Sequence, residues 1–313
     1  MKLIKAGVIG VGHIGINHAR IYSELPNCEL VAILDANKQA AQKAAAKYGG
    51  VACHSLEEFS ELVDAATVAT PTESHFEVGS FLLQQGKHLL IEKPLADTTE
   101  GAQQLAALAH KHHCVLQVGH VERFNPALEA LEKQLKNPRF LEVTRLSPYP
   151  NRSIDIGVVL DLMIHDLEIV LHLVRSPVKS IDPVGIAVLS RGEDIANVRI
   201  HFENGCVANL TASRISRDKV RKIRIFQEDA YLSLNYQKQN GYMLRLNGKE
   251  IKKNRVHVIK GEPLQRELAA FVDCARLGSQ PRVNGYEAAA ALDLALKITR
   301  KIEENNKAHH PSS

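Results

Sequence analysis

A chain of 313 residues, 45% hydrophobic and 24% charged, is long enough for two hydrophobic cores and has the make-up of a globular protein, not of a disordered or fibrous one. Its net charge of +4 is mildly basic, and its five cysteines (Cys28, Cys53, Cys114, Cys206 and Cys274), odd in number and without a Cys-x-x-Cys pair, suggest neither a disulfide framework nor a zinc site. With no apolar run long enough to span a bilayer and no signal-peptide cleavage pattern in MKLIKAGVIGVG, a soluble cytoplasmic protein without a membrane partner is expected.

From residue 3 to about residue 118, the β-rich runs LIKAGVIG, CELVAILD, AATVAT, KHLLIE and CVLQVG alternate with helical stretches such as KQAAQKAAAKYG and TEGAQQLAALAHKHH. That rhythm predicts an α/β domain with a doubly wound parallel sheet and helices on both faces. The first run leads into GVIGVGHIG, where Gly10, Gly12 and Gly15 take G-x-G-x-x-G spacing, and the second ends in Asp35, about 20 residues further on. A strand before the glycines and a helix after them turn a weak motif into a dinucleotide fingerprint, with a pyrophosphate on the helix N-terminus beside His13 and Ile14. Asp35 would accept hydrogen bonds from the adenosine ribose and repel a 2′-phosphate, which favours NAD; nearby Lys38 leaves NADP as an alternative. Two strand ends supply more candidates, because the carboxyl ends of parallel strands line the ligand crevice. ATPTESH offers Thr70, Pro71 and His75 for cofactor contact, and KHLLIEKPLADT offers Glu92 and Lys93. A lysine there can hydrogen-bond a nicotinamide ribose and stabilise alkoxide character on a substrate hydroxyl.

At VGHVERFNP the pattern changes, so the domain boundary is set at 1–121 and 122–313. His120 and Asn125 at this junction face substrate or form the hinge. Beyond it FLEVTRL, ANVRIHF, CVANLTASRI, RKIRIF, YLSLNY and GYMLRL read as strands of an α+β domain built on a large, mostly antiparallel open sheet; Glu203-Asn204-Gly205 is a hairpin turn. The basic run SRISRDKVRKIRI alternates with Ile and Val and lacks interleaved aromatics, so it reads as a solvated strand face or the lining of a phosphorylated-ligand site, not as a nucleic-acid surface. HKHHC, at a helix end, reads as a solvated turn and not a metal site. The final helix, about 287–305, is expected to pack back on a core, with KAHHPSS frayed after it.

One apolar helix, VVLDLMIHDLEIV, places Asp161 and His165 four apart on one face, with Glu168 and His172 continuing the stripe. Oxidation of an alcohol by hydride transfer needs a base beside the carbinol oxygen, a group that orients the base and a cation for the alkoxide. His165, Asp161 and Lys93 are those three residue types.

GVIGVGHIG, Asp35, EKP and the D-x-x-x-H helix together resemble the glucose-fructose oxidoreductase/inositol dehydrogenase (Gfo/Idh/MocA) family over nearly the whole chain, including NGYEAAAALDLALKI. The resemblance implies an NAD-binding Rossmann domain over 1–121, and a substrate-binding and oligomerisation domain over 122–313 whose open sheet forms a homodimer or homotetramer interface. It also implies Lys93, Asp161 and His165 as the catalytic group. Met163 stands where many members have Gly, and Glu168 where many have Asp. VGHVERFNP and VVLDLMIHDLEIV look like the subgroup of nucleotide-sugar dehydrogenases that oxidise the 3-hydroxyl of UDP-N-acetylglucosamine to a 3-keto sugar. On that reading Arg123, Arg152 and the basic run near Arg214 to Arg224 are candidates for the UDP pyrophosphate, alongside His120 and Asn125 as substrate contacts. An inositol or free-sugar dehydrogenase, or a non-catalytic NAD(P)-binding sensor, is the alternative.

Overall fold

The computed structural model describes residues 3–149 and 156–309. Two compact units are present, Met1–Val121 with Glu262–Ala290, and Glu122–Gly261 with Ala291–Ser313.

Chain order in the first unit runs β1 (Ile4–Ile9), α1 (Gly15–Glu24), β2 (Cys28–Leu34), α2 (Lys38–Tyr48), β3 (Val51–Ala52), α3 (Leu56–Leu62), β4 (Ala65–Val68), α4 (His75–Gln84), β5 (His88–Ile91), α5 (Thr99–Lys111) and β6 (Leu116–Val118). The strands pair in parallel in the order β3-β2-β1-β4-β5-β6, the doubly wound arrangement the sequence predicts. Helices begin where short polar side chains stop the strand-to-helix loops: Asn37 accepts from Gln39 and Ala40, Ser55 from Glu58 and Thr98 from Gly101.

In the second unit come α6 (Pro126–Glu132), β7 (Pro138–Leu146), a π-helical turn over Val159–Met163 that continues into α7 (Ile164–Val174), and the strands β8 (Val178–Ile186), β9 (Ile195–Phe202), β10 (Val207–Ser213), β11 (Val220–Gln227), β12 (Ala230–Asn235), β13 (Asn240–Asn247) and β14 (Glu250–Val256). They form one sheet in the order β14-β13-β12-β11-β7-β10-β9-β8, antiparallel except for β7 with β10. The Glu203-Asn204-Gly205 turn joins β9 to β10 as predicted, with Gly205 at φ 82° and Phe202 N–H donating to the Cys206 carbonyl. Period-2 alternation buries Leu141 and Val143, Ile223 and Ile225, and Leu232 and Leu234, with α6 and α7 packed on that side. Among the described residues no helix or strand packs on the other face. It carries Arg224 paired to Glu142 at 3.0 Å and a row of rings, Phe140, Phe226, Tyr231 and Tyr242.

Two helices complete the chain, α8 (Pro263–Leu277) and α9 (Gly285–His309). Helix α8 buries Leu268, Phe271, Val272 and Ala275 in the core that holds Ile4, Val8, Tyr22 and Leu30. Burying side chains of that size is worth about 1.5–3 kcal/mol each. The sequence-based boundary, which placed all of 122–313 in the second domain, is therefore corrected: residues 262–290 belong with the first unit. Helix α9 runs from one unit into the other, and in the second Lys301, Asn305 and Asn306 donate to the Ile181, Pro183 and Gly185 carbonyls of β8. Those contacts hold the helix to His309, so the expected fraying from Lys307 is not seen before that residue.

Candidate active site

The glycine turn is shaped by what a side chain would strike. Gly10 has φ 85°, and a Cβ on Gly15 would sit 1.8 Å from the Gly10 carbonyl oxygen, so turn and helix start are interlocked. Gly12 differs: a Cβ there would meet nothing within 4 Å, so bare backbone faces open space. Ile14, the residue before α1, offers no side-chain cap, while Ile16 N–H already donates to the Gly12 carbonyl and Asn17 N–H to that of Ile14, so the turn presents its backbone and the positive end of the helix dipole to an anion. His13 and Ile14 are exposed beside them. At the end of β2 the Asp35 carboxylate accepts from Val11 N–H and Asn37 N–H, both at 2.7 Å. Each oxygen keeps a lone pair for a ribose hydroxyl. Turn, uncapped helix and anchored acid fit a dinucleotide, with Gly12 against the pyrophosphate and Asp35 at the ribose.

The two loops beyond β4 and β5 are tied to each other. Thr70 Oγ1 accepts from Ser74 Oγ at 2.7 Å, and Pro71 is exposed. His75 corrects the sequence reading. It is 1% exposed, with Nδ1 at 2.9 Å from the Pro94 carbonyl and Nε2 at 2.9 Å from the Thr70 carbonyl, so the ring clasps the loops together and presents neither nitrogen to a cofactor. Burial holds its pKa below the ordinary value, against the two carbonyls and Glu92. Glu92 likewise turns to protein, with Oε1 3.2 Å from His18 Nε2 and Oε2 accepting from Lys93 N–H. Lys93 itself is half-buried between them and joined to Pro94 by a cis peptide.

In the second unit Asp161 lies in the π-helical turn, where its N–H donates to Gly157 and that of Ile164 to Val159; His165 begins the α-helical part. A π turn inside a helix recurs at functional sites, and here it replaces the uniform α-helix that the sequence suggests. Both side chains are half-buried, as are Leu160 and Leu162, whereas Val158, Val159, Met163 and Ile164 are buried. The start of this helix is gripped by the loop before β9. Glu193 accepts Val159 N–H on its carboxylate and Val158 N–H on its carbonyl, and a Cβ on Gly157 would lie 2.1 Å from that carboxylate. Asp194 secures the loop by accepting from Val188, Leu189 and Ser190 N–H and from Arg214 Nε.

Several residues assigned to substrate are engaged elsewhere. Arg123 is 1% exposed and ion-paired with Glu168, so Glu168 does not continue an open polar stripe. Asn125 caps α6 through Ala127 N–H and donates to Glu122 and to the Tyr236 carbonyl. His120 is buried in the first unit, 1% exposed. Arg214 is fully buried on Asp194, Arg221 donates to Glu122, and Arg224 lies on the open sheet face. None of the four arginines therefore presents an unengaged guanidinium to a pyrophosphate, because each already neutralises a carboxylate. Arg152 lies outside the described residues.

A buried ionic lattice went unread. Asp166, beside His165, accepts from Arg145 Nε at 2.6 Å and Nη2 at 2.9 Å, while Arg145 Nη1 and Arg221 Nη1 share Glu122 Oε1. Strand parity was the available signal, since Arg145 is in phase with inward Leu141 and Val143 and Arg221 with Ile223 and Ile225. Among the described residues no cluster of His, Cys, Asp or Glu is arranged to hold a metal ion, and no helix is long and apolar enough to cross a membrane.

Comparison with known proteins identifies the family. Residues 4–120 match the family model for the oxidoreductase family, NAD-binding Rossmann fold, and residues 135–233 match that for the GFO/IDH/MocA C-terminal domain. The UDP-N-acetylglucosamine 3-dehydrogenase of Acidithiobacillus ferrooxidans is 34% identical over 309 residues, covering 96% of this chain and 97% of its own. Its solved structure superposes with a TM-score of 0.92 over 97% of this chain and 99% of that one. The scyllo-inositol 2-dehydrogenase (NAD(+)) of Bacillus subtilis is 25% identical, covering 96% of this chain and 94% of its own.

Proposed function

The chain belongs to the Gfo/Idh/MocA oxidoreductase family and is an NAD-dependent dehydrogenase acting on a sugar hydroxyl, and on that premise we propose that it oxidises the 3-hydroxyl of UDP-N-acetylglucosamine to the 3-keto product. The observation that carries the reading is full-length similarity to the Acidithiobacillus enzyme of that activity, in sequence and in fold.

Bound NAD supplies a hydride acceptor. Lys93 hydrogen-bonds the reacting hydroxyl and favours its alkoxide character, and His165 takes the hydroxyl proton as the C–H hydride leaves. Asp161 orients the His165 imidazole. One proton and one hydride leave the carbinol, which becomes a ketone. Gly10, Gly12, His13, Ile14 and Gly15 hold the pyrophosphate side of the cofactor, Asp35 the adenosine ribose, and Thr70 and Pro71 its nicotinamide side. The second unit forms the substrate-binding domain. Its open sheet face is the surface we assign to a homodimer or homotetramer, and five free cysteines are consistent with the reducing cytoplasm.

The test is NADH formation with UDP-N-acetylglucosamine beside free N-acetylglucosamine, glucose and myo-inositol, with a hydrazine trap to pull an unfavourable equilibrium. Turnover confined to the UDP-sugar is expected; turnover with inositol or a free sugar alone would overturn the substrate. Lys93→Ala and His165→Ala should each lower kcat by about 10²-fold or more, the size of a lost acid–base group, while NAD affinity stays within a few-fold. Unchanged kcat in both variants would remove the catalytic assignment.

A further inference from the structure

A polar chain lies in the apolar core of the first unit and ends on the residue before Lys93. His18 and Tyr22, one turn apart on α1, and Thr67 on β4 are all fully buried. The Tyr22 hydroxyl lies 2.7 Å from Thr67 Oγ1, Thr67 Oγ1 lies 3.2 Å from His18 Nδ1, and His18 Nε2 lies 3.2 Å from Glu92 Oε1. Burial pushes the Tyr22 pKa well above the ordinary value, and its hydroxyl shares a short hydrogen bond with that of Thr67. Thr67 Oγ1 thus meets both Tyr22 and His18 Nδ1, and the opposite ring nitrogen, Nε2, lies at ion-pair distance from Glu92 without an aligned hydrogen bond.

Glu92 passes the constraint on. Its second oxygen accepts from Lys93 N–H at 3.3 Å, and its carboxyl group rests on the bare Cα of Gly119, where a Cβ would come within 2.8 Å of it. On the far side of Lys93 the Pro94 carbonyl is held by His75. Apolar side chains of similar volume would fill this core at no loss of stability, so the polar chain calls for a reason other than packing. Its end point supplies one.

We propose that His18 is a positioning residue for the reaction: backed by Thr67 and Tyr22, it fixes the Glu92 carboxylate and thereby the strand end from which Lys93 reaches the substrate hydroxyl. The proposal rests on the reading of Lys93 as a catalytic residue. It does not require His18 to touch substrate or cofactor.

A double-mutant cycle tests it. With UDP-N-acetylglucosamine as substrate, His18→Leu should lower kcat by roughly 10- to 100-fold, the cost of a reacting group displaced by about 1 Å. KM for the sugar and the NAD dissociation constant from calorimetry should stay within about threefold, in keeping with lost positioning rather than lost binding. His18→Gln, which returns an N–H toward Glu92, should restore most of kcat. In a Lys93→Met background His18→Leu should cost nothing further, because the group it positions is gone. Thr67→Val, close in shape to threonine, removes the hydroxyl that both His18 and Tyr22 meet, and it should lower kcat in the same Lys93-dependent way should His18→Leu fold poorly. An equal fold-loss with and without Lys93, or a His18→Gln no better than His18→Leu, would overturn the proposal while leaving Lys93 catalytic. Lys93→Met at wild-type kcat would overturn both.

Discussion

Replacing Asp166 by Asn tests whether the buried ionic lattice beneath the helix that carries Asp161 and His165 is what holds that helix in place. Asp166 and Arg145 side chains are 3% and 1% exposed, and the carboxylate takes two of the arginine's N–H bonds. With the negative charge gone, Arg145 has only Glu122, which it already shares with Arg221. Breaking a buried pair by neutralising one partner costs about 3–5 kcal/mol, and since the amide oxygen keeps one of the two bonds, about 3 kcal/mol is expected. For a unit of this size each kcal/mol moves Tm by about 2–4 °C, so calorimetry should show the second unit melting roughly 6–12 °C lower. Replacing both partners by apolar residues, Arg145→Met with Asp166→Leu, should recover most of that, because the cost comes from an unpaired charge and not from lost packing. A Tm for Asp166→Asn within about 2 °C of wild type would refute the lattice as a stabilising element.

Contrasting outcomes are expected at two glycines 3 positions apart in the fingerprint. Gly12→Ala should fold with unchanged Tm but bind NAD at least about tenfold more weakly, since the new methyl occupies only the space where the pyrophosphate approaches; Gly15→Ala should fail to give stable protein. Asp35→Ala should raise NADP use relative to NAD, and an unaltered coenzyme ratio would remove Asp35 as the ribose ligand. Acid titration should destabilise the second unit: burial raises the Glu122 pKa, but Arg145 and Arg221 outweigh it and hold the group below its ordinary value, so its stabilisation is present above the unfolded pKa and lost as pH falls through the folded one. Glu122→Gln should flatten that slope. Glu267 in the first unit should show the opposite sign. Fully buried with no partner for either carboxylate oxygen among the described residues, it has a pKa raised well above the ordinary value by burial and then by Glu92, so stability falls as pH rises past the unfolded pKa, and Glu267→Gln should raise Tm at pH 8.

The parallel sheet, the glycine turn with Asp35, and the ENG hairpin were legible because each depends on local pattern. What escaped depends on partners distant in sequence. β8 contains Pro183 and Gly185, which read as breakers, yet as an edge strand it pairs only with β9 and tolerates both. β14 has no buried face and so shows no alternation; its lysines suit an unpaired edge. Arg123, Asn125 and Arg214 looked like substrate ligands because a polar side chain in a sequence carries no sign of whether Glu168, Glu122 or Asp194 already meets it. His18, Thr67 and Tyr22 left even less trace, since a histidine and a tyrosine within an amphipathic helix are ordinary until the strand they face is known.

The central claim concerns one carbon of one substrate. UDP-N-acetylglucosamine carrying deuterium at C3, incubated with the protein and NAD in the presence of the hydrazine trap, should yield reduced cofactor that contains the label and a trapped ketone that has lost it. Unlabelled NADH with the deuterium retained in the sugar would place the oxidation at another hydroxyl, and no reduced cofactor, despite NAD binding and turnover of another sugar or inositol, would contradict the substrate altogether.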